Sequence, residues 1–190
     1  MTGRKGPTKM NDTIRSILDR RSIRAYKPDA VTDEQLAVLR ECAVASPTAI
    51  NAQSWHFTFV TDRSVISDVD ACVMAMLDDA GKERMKGRGG SVFYNAPLAV
   101  FISCDKNSRW GDVDAGIAVE NLALSAHSLG LGSVIIGMCR AAFDGPEGKR
   151  LEQLLRFPDD HRFAIAIAIG QPDCTKEAHP VLDGRVDIIS

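Results

Sequence analysis

Phe163-Ala164-Ile165-Ala166-Ile167-Ala168-Ile169 is an unbroken apolar run in which large and small side chains alternate. A run of this length is strand-sized, and it leaves no polar side chain to face water. The strand must therefore be buried on both faces. Helices have to cover both sides of the sheet that contains it. Gly170-Gln171-Pro172 ends the run, because proline cannot donate to a ladder. Pro97 to Ser103 and Ser133 to Met138 read as two more buried strands. Trp55 to Thr61, with Trp55, Phe57 and Phe59 alternating with His56, Thr58 and Val60, reads as another.

Helical segments alternate with these strands. Asn11 or Asp12 caps a helix with Ile14, Ile17 and Leu18 on one face. Thr32 and Gln35 form a capping box for a second helix, closed by Pro47. Val65, Ile66, Val69, Cys72, Val73, Met76 and Leu77 form a helical stripe that ends near Gly81. Lys82 to Gly90 reads as a charged, Gly-rich surface segment. Asp112 to Leu129 is the longest helix and is apolar nearly all round, interrupted chiefly by Asp114, Glu120 and Asn121. Such a helix is buried on more than one side, in a core or at a subunit interface. Pro146 opens a short helix carrying Leu151, Leu154 and Leu155. Residues 1–11 read as a flexible lead-in and 171–190 as an extended arm, with a last strand at Val186 to Ile189. No repeat or linker divides the 190 residues, which read as one α+β or α/β layered domain.

The totals exclude several functions. A net charge of −2 gives no general attraction to nucleic acid or an anionic membrane. Five scattered cysteines and four histidines, none in ligand spacing, argue against a disulfide framework and a zinc site. No secretory h-region or membrane-length apolar run is present, so a cytoplasmic protein is expected. There is no G-x-S-x-G elbow and no Walker sequence. Gly130-Leu131-Gly132 follows a helix and opens a strand, the reverse of a dinucleotide fingerprint.

Against that background Arg20-Arg21-Ser22-Ile23-Arg24 stands out. Guanidinium groups grip phosphate through paired hydrogen bonds and never deprotonate. A solvated basic helix end would carry the same residues, so the five residues alone leave both readings open. The chain offers no obvious catalytic acid, base or nucleophile, which suits chemistry carried by a bound organic cofactor. Flavin mononucleotide (FMN) needs phosphate donors, amide donors and a cation at its pyrimidine edge, a backbone N–H at N5 and an apolar wall. Arg20, Arg21, Ser22, Arg24, Asn51, Gln53 and the strand end Ile135-Ile136-Gly137 supply these types.

Arg20 to Arg24 resembles the opening motif of the FMN-dependent nitroreductase family. Ser46-Pro47-Thr48-Ala49-Ile50-Asn51-Ala52-Gln53-Ser54-Trp55-His56-Phe57 resembles its second motif, with Ser54 where the family commonly has proline. Asn95-Ala96-Pro97, Gly130 to Gly137 and Ala168 to Pro172 follow in the family's order, and the likeness spans about Asp12 to Arg185. It implies a nitroreductase-like three-layer α-β-α sandwich with a mixed, mainly antiparallel sheet, assembled as a homodimer. It implies that Arg20, Arg21, Ser22 and Arg24 contact FMN and that Pro47, Thr48, Ala49 and Asn51 line the flavin from the second subunit. Ile135, Ile136 and Gly137 would flank N5, and Arg185 would be a C-terminal phosphate ligand. The implied activity passes electrons from NADH or NADPH through FMN to a nitroaromatic, quinone or similar small aromatic acceptor in a ping-pong cycle. Other flavin chemistry (dehalogenation, desaturation, flavin cleavage) and non-catalytic FMN binding are the alternatives. A lid, if the chain has one, would come from Ala80 to Gly90.

Overall fold

The computed structural model describes residues 10–189; of the lead-in expected over 1–11, all but Met10 and Asn11 lies outside them. Four strands, β1 (Trp55–Val60), β2 (Leu98–Asp105), β3 (Gly132–Ile136) and β4 (His161–Gly170), form one sheet in the order β1-β2-β4-β3. All three ladders are antiparallel. The parallel component is an isolated bridge between Ser22 and Ser133.

The central strands dictate the layering. Every residue of β2 from Leu98 to Cys104 is buried, so each face of the sheet must be covered. On one face lie α2 (Asp33–Val44) and α5 (Gly111–Ser128), packed through Leu39, Ala118 and Leu122 against Val100, Ile102 and Ile167. On the other lie α3 (Arg63–Ala75), α4 (Asp79–Lys86), α6 (Arg140–Phe143) and α7 (Gly148–Leu154), packed through Val69, Met85 and Phe143 against Phe101 and Ala166. This is the three-layer α-β-α sandwich. The remaining helix, α1 (Asp12–Asp19), contains no buried residue. Among the described residues no helix is long and apolar enough to cross a membrane.

Local signals account for several boundaries. Asn11 caps α1 by accepting from Ile14 N. Thr32 and Gln35 complete the reciprocal capping box of α2.

Three expectations are corrected. Strict alternation places Phe163 with the isoleucines, but the β2–β4 register shifts between Ile102 and Ser103, leaving Ala164 as an extra residue. A bulge of this kind reverses the facing of everything beyond it. Phe163 therefore joins the alanines' face, where its ring stacks on Phe143 at 4.4 Å. Second, part of the charged segment 82–90 is helical: Asp78 caps α4 through Gly81 N, and Met85 is buried beneath it. One buried methionine and a capping aspartate outweigh the polar composition. Third, Val186 to Ile189 form no strand and are exposed; an apolar strand needs an edge to pair with, and among the described residues none receives them.

Phe163→Ala removes a fully enclosed ring stack and should lower the unfolding free energy by about 3–5 kcal/mol, read from chemical denaturation.

Candidate functional site

Helix α1 ends because Arg20 turns to an extended conformation, φ −55° and ψ 134°. The chain then lies along the outer side of β3. Ile23 N donates to Ser133 O at 2.9 Å, and Lys27 N donates to Gln171 O at 2.9 Å. Tyr26 Oη lies 2.8 Å from Ile23 O and 3.2 Å from Ala168 O, and its burial pushes the phenol's pKa up. The approach is close enough to require Gly132: a Cβ there would stand 2.9 Å from Ile23 Cβ. The extended geometry buries Ile23 and turns Arg20, Ser22 and Arg24 to the half-buried side.

The three arginines differ in what satisfies them. Arg21 Nη1 donates to Leu18 O at 2.6 Å and Arg20 O at 2.8 Å, closing the carbonyl end of α1. Arg20 Nε lies 3.4 Å from Glu120 Oε1 yet forms no hydrogen bond. Arg24 stands 6.0 Å above the Tyr94 ring, and its Nε is likewise buried with no protein acceptor. A buried guanidinium N–H without an acceptor carries its full desolvation cost. Among the described residues Arg20 and Arg24 each keep a buried Nε–H without a hydrogen-bond acceptor, while Arg24 Nη1 donates to Ser22 O at 3.4 Å.

A cavity of about 320 Å³ opens beside this segment, lined by Arg20, Arg21, Ser133, Thr175 and Lys176 among others. Arg185 is not among its lining residues; it is exposed in a stretch without helix or strand. Lys176, a tail cation that the sequence reading did not single out, does line the cavity. Its only signal is position: the Tyr26–Pro172 bridge holds the start of the tail against the arginine segment.

The second motif folds as a tight surface loop carrying a 3₁₀ turn at Ala49–Asn51. Ile50, Asn51 and Gln53 have φ of 52°, 55° and 48°, a left-handed region that costs a β-branched or bulky residue about 1–2 kcal/mol. Internal bonds help hold it: Gln53 N donates to Thr48 Oγ1 at 2.9 Å, and Gln53 Nε2 to Asn51 Oδ1 at 3.2 Å. Ala49 N donates to Asp114 Oδ1, Ser54 Oγ to Asp114 Oδ2, and Asn121 Nδ2 to Ser46 Oγ. No residue of this loop lines the arginine cavity. Pro47, Thr48, Ala49, Asn51 and Gln53 thus stand outside that cavity within one protomer.

At the far end of β3 the neighbours Ile135 and Ile136 face opposite layers. Ile135 is half-buried on the α5 side, whereas Ile136 is buried in the other core. Ile136 has no side-chain surface to offer a ligand, contrary to the wall role expected of it. Gly137 is exposed just beyond the strand. Close by in sequence, Arg140 reaches Asp112 at 3.6 Å, and Arg162 forms a fork on the same carboxylate at 2.9 and 2.8 Å. The bonds from Arg162 hold the Asp112 carboxyl below the usual aspartate range. His56, by contrast, is held below the usual histidine range by burial and then by His161. Among the described residues no cluster of three or more His, Cys, Asp or Glu is arranged to hold a metal ion.

Asp112 binds a proton more weakly in the folded chain than in the unfolded one. Its contribution is complete above the ordinary value of about 3.9 and is lost as pH falls through the lower folded value. Asp112→Asn should flatten the acid limb of stability against pH below about 4, measured by thermal melts across pH.

The Nitroreductase family profile matches residues 17–171. A protein from Archaeoglobus fulgidus described as a putative NADH dehydrogenase/NAD(P)H nitroreductase is 27% identical over 92% of this chain and 93% of its own length. The NADPH-flavin oxidoreductase of Vibrio harveyi is 25% identical over 93% of this chain and 72% of its own. A crystal structure of a nitroreductase with bound FMN from Desulfitobacterium hafniense DCB-2 superposes with a TM-score of 0.90 at 28% identity, covering 96% of this chain and 100% of that one.

Proposed function

The chain belongs to the nitroreductase family, and from that premise we propose that it is an FMN-dependent oxidoreductase that takes electrons from NADH or NADPH and passes them to a small aromatic acceptor. The observation that carries this reading is the pair of buried, acceptor-less Nε atoms of Arg20 and Arg24 on one extended segment. That donor set fits an anionic, acceptor-rich cofactor such as FMN, not a metal ion. When bound, FMN supplies reversible hydride and electron acceptance.

The residues of the chain then bind and orient. Arg20 and Lys176, whose side chains share the cavity with Ser133, hold the phosphate. Ser22 and Arg24, on the same extended segment, do not line that cavity. Arg24, kept over the Tyr94 ring, places a positive charge where the reduced pyrimidine edge becomes anionic. Arg21 keeps α1 terminated at the point where the segment must turn. Ile135 and the exposed Gly137 give apolar contact and backbone at the ring's N5 side. None of the side chains named above is assigned a transferred proton; their roles would be to bind and orient the cofactor.

The site is completed by a second copy of the chain. The loop with Pro47, Thr48, Ala49, Asn51 and Gln53 lies outside the arginine cavity, and Ile50 at its tip is 98% exposed. Trp110, Val113 and Ile117 leave an apolar stripe of α5 in solvent, and Ile14, Ile17 and Leu18 do the same on α1. Such stripes are what a homodimer covers. The free thiols of all five cysteines suit a reducing cytoplasm.

Anaerobic mixing with NADH or NADPH should bleach the bound flavin; no bleaching with either coenzyme overturns the oxidoreductase reading. Arg20→Ala should weaken FMN binding about tenfold to a hundredfold with the circular dichroism unchanged, the worth of a charge-assisted bond. Dilution below the dimer dissociation constant should release flavin, seen as a rise in its fluorescence alongside the sedimentation shift.

A further inference from the structure

Asp114 is 2% exposed and is the one acidic or basic side chain buried among the described residues. Burying a carboxylate is costly unless it is hydrogen-bonded. Its position in the first turn of α5 lowers that cost through the helix dipole. Oδ1 accepts from Ala49 N and Oδ2 from Ser54 Oγ, each at 3.1 Å. Those donors bracket the four-residue span that holds the three left-handed residues Ile50, Asn51 and Gln53. Two turns along α5, Asn121 Nδ2 reaches Ser46 Oγ at 3.0 Å and Cys42 O at 3.4 Å, fixing the point where the loop leaves α2.

We infer that Asp114 is a positioning residue for the flavin site, its buried carboxylate clamping both ends of the 49–54 loop and so imposing the left-handed conformation that presents Asn51 and Gln53. This rests on the reading of that loop as a flavin-lining wall. The clamp is bidentate because one helix residue must set two points of a loop whose own backbone favours other conformations. Ser54 O also accepts from Asp105 N at 2.9 Å, tying the outgoing end of the loop to β2. The incoming end at Ala49 has no such strand anchor, and depends on the carboxylate.

The test compares wild type with Ser54→Ala, Asp114→Asn and Asp114→Ala as full-length homodimers. Two quantities are read: hydrogen–deuterium exchange of amides 49–54, and FMN affinity by flavin fluorescence titration. Ser54→Ala, which loses one charge-assisted hydrogen bond, should speed exchange in the loop and weaken FMN binding about tenfold; Asp114→Ala, which loses two, should do both to a greater degree. The melting temperature of the flavin-free Ser54→Ala protein should be nearly unchanged. Asp114→Asn should fall between, since the amide oxygen still accepts from Ala49 N. If Asp114→Ala does not fold, Ser54→Ala and Asp114→Asn carry the test. Wild-type exchange and wild-type affinity in both of those variants overturn the inference and leave the flavin reading intact. A wild-type protein that binds no FMN overturns the flavin reading and the role of Asp114 together. Faster loop exchange at unchanged affinity reduces Asp114 to a structural clamp and also overturns the proposal.

Discussion

The structure depends on the burial of β2 and β4 on both faces. Neither strand carries a side chain that water could satisfy between Leu98 and Ile102 or between Phe163 and Ile169. The sheet can exist only inside two helical layers, and α5 is the element that closes one of them. It contacts all four strands as well as α1 and α2. Because it is so enclosed, each polar residue on it has to find a protein partner. Asp114 and Asn121 find the second-motif loop, and Glu120 stands beside Arg20. The helix that completes the core thus also touches the second-motif loop and stands beside Arg20.

A second consequence concerns the arginine segment. It adds to the outer edge of β3 through the Ser22–Ser133 bridge and the Ile23 bond. That docking covers an edge that would otherwise pair with other chains. It also fixes which way the arginines point: one residue in two is turned into the core, so Ile23 is spent on packing and its neighbours are left for a ligand. The absence of a side chain at Gly132 permits the approach. The basic cluster is therefore held as a strand-like edge by backbone bonds, and that docking sets its orientation.

Much of this was legible from the chain itself. The two-sided burial of β4, the capping box at Thr32 and Gln35 and the cap of α1 all follow from residues within a turn or two of each other. Where reading failed, the missing information was long-range. The bulge at Ala164 depends on how Ser103 and Phe163 meet across two strands. Lys176 lines the arginine cavity near the Tyr26–Pro172 bridge, a long-range pairing that no local pattern announces. Ile136 lies in the wrong layer for a wall because neighbouring residues on a strand face opposite sides.

By itself the sequence determined the layered α+β architecture, the family likeness and the cluster of donors suited to a phosphate-bearing cofactor. These rest on periodicity and local chemistry, which neighbouring residues encode. The tertiary structure alone decided which guanidinium groups remain without an acceptor, which cation joins them and how the second-motif loop is held. Those outcomes hang on pairs such as Ala49 with Asp114 and Ser54 with Asp114, separated by 65 and 60 positions. A hydrogen bond at that separation leaves no trace in either segment, because it exists only once the sheet has brought α5 beneath the loop.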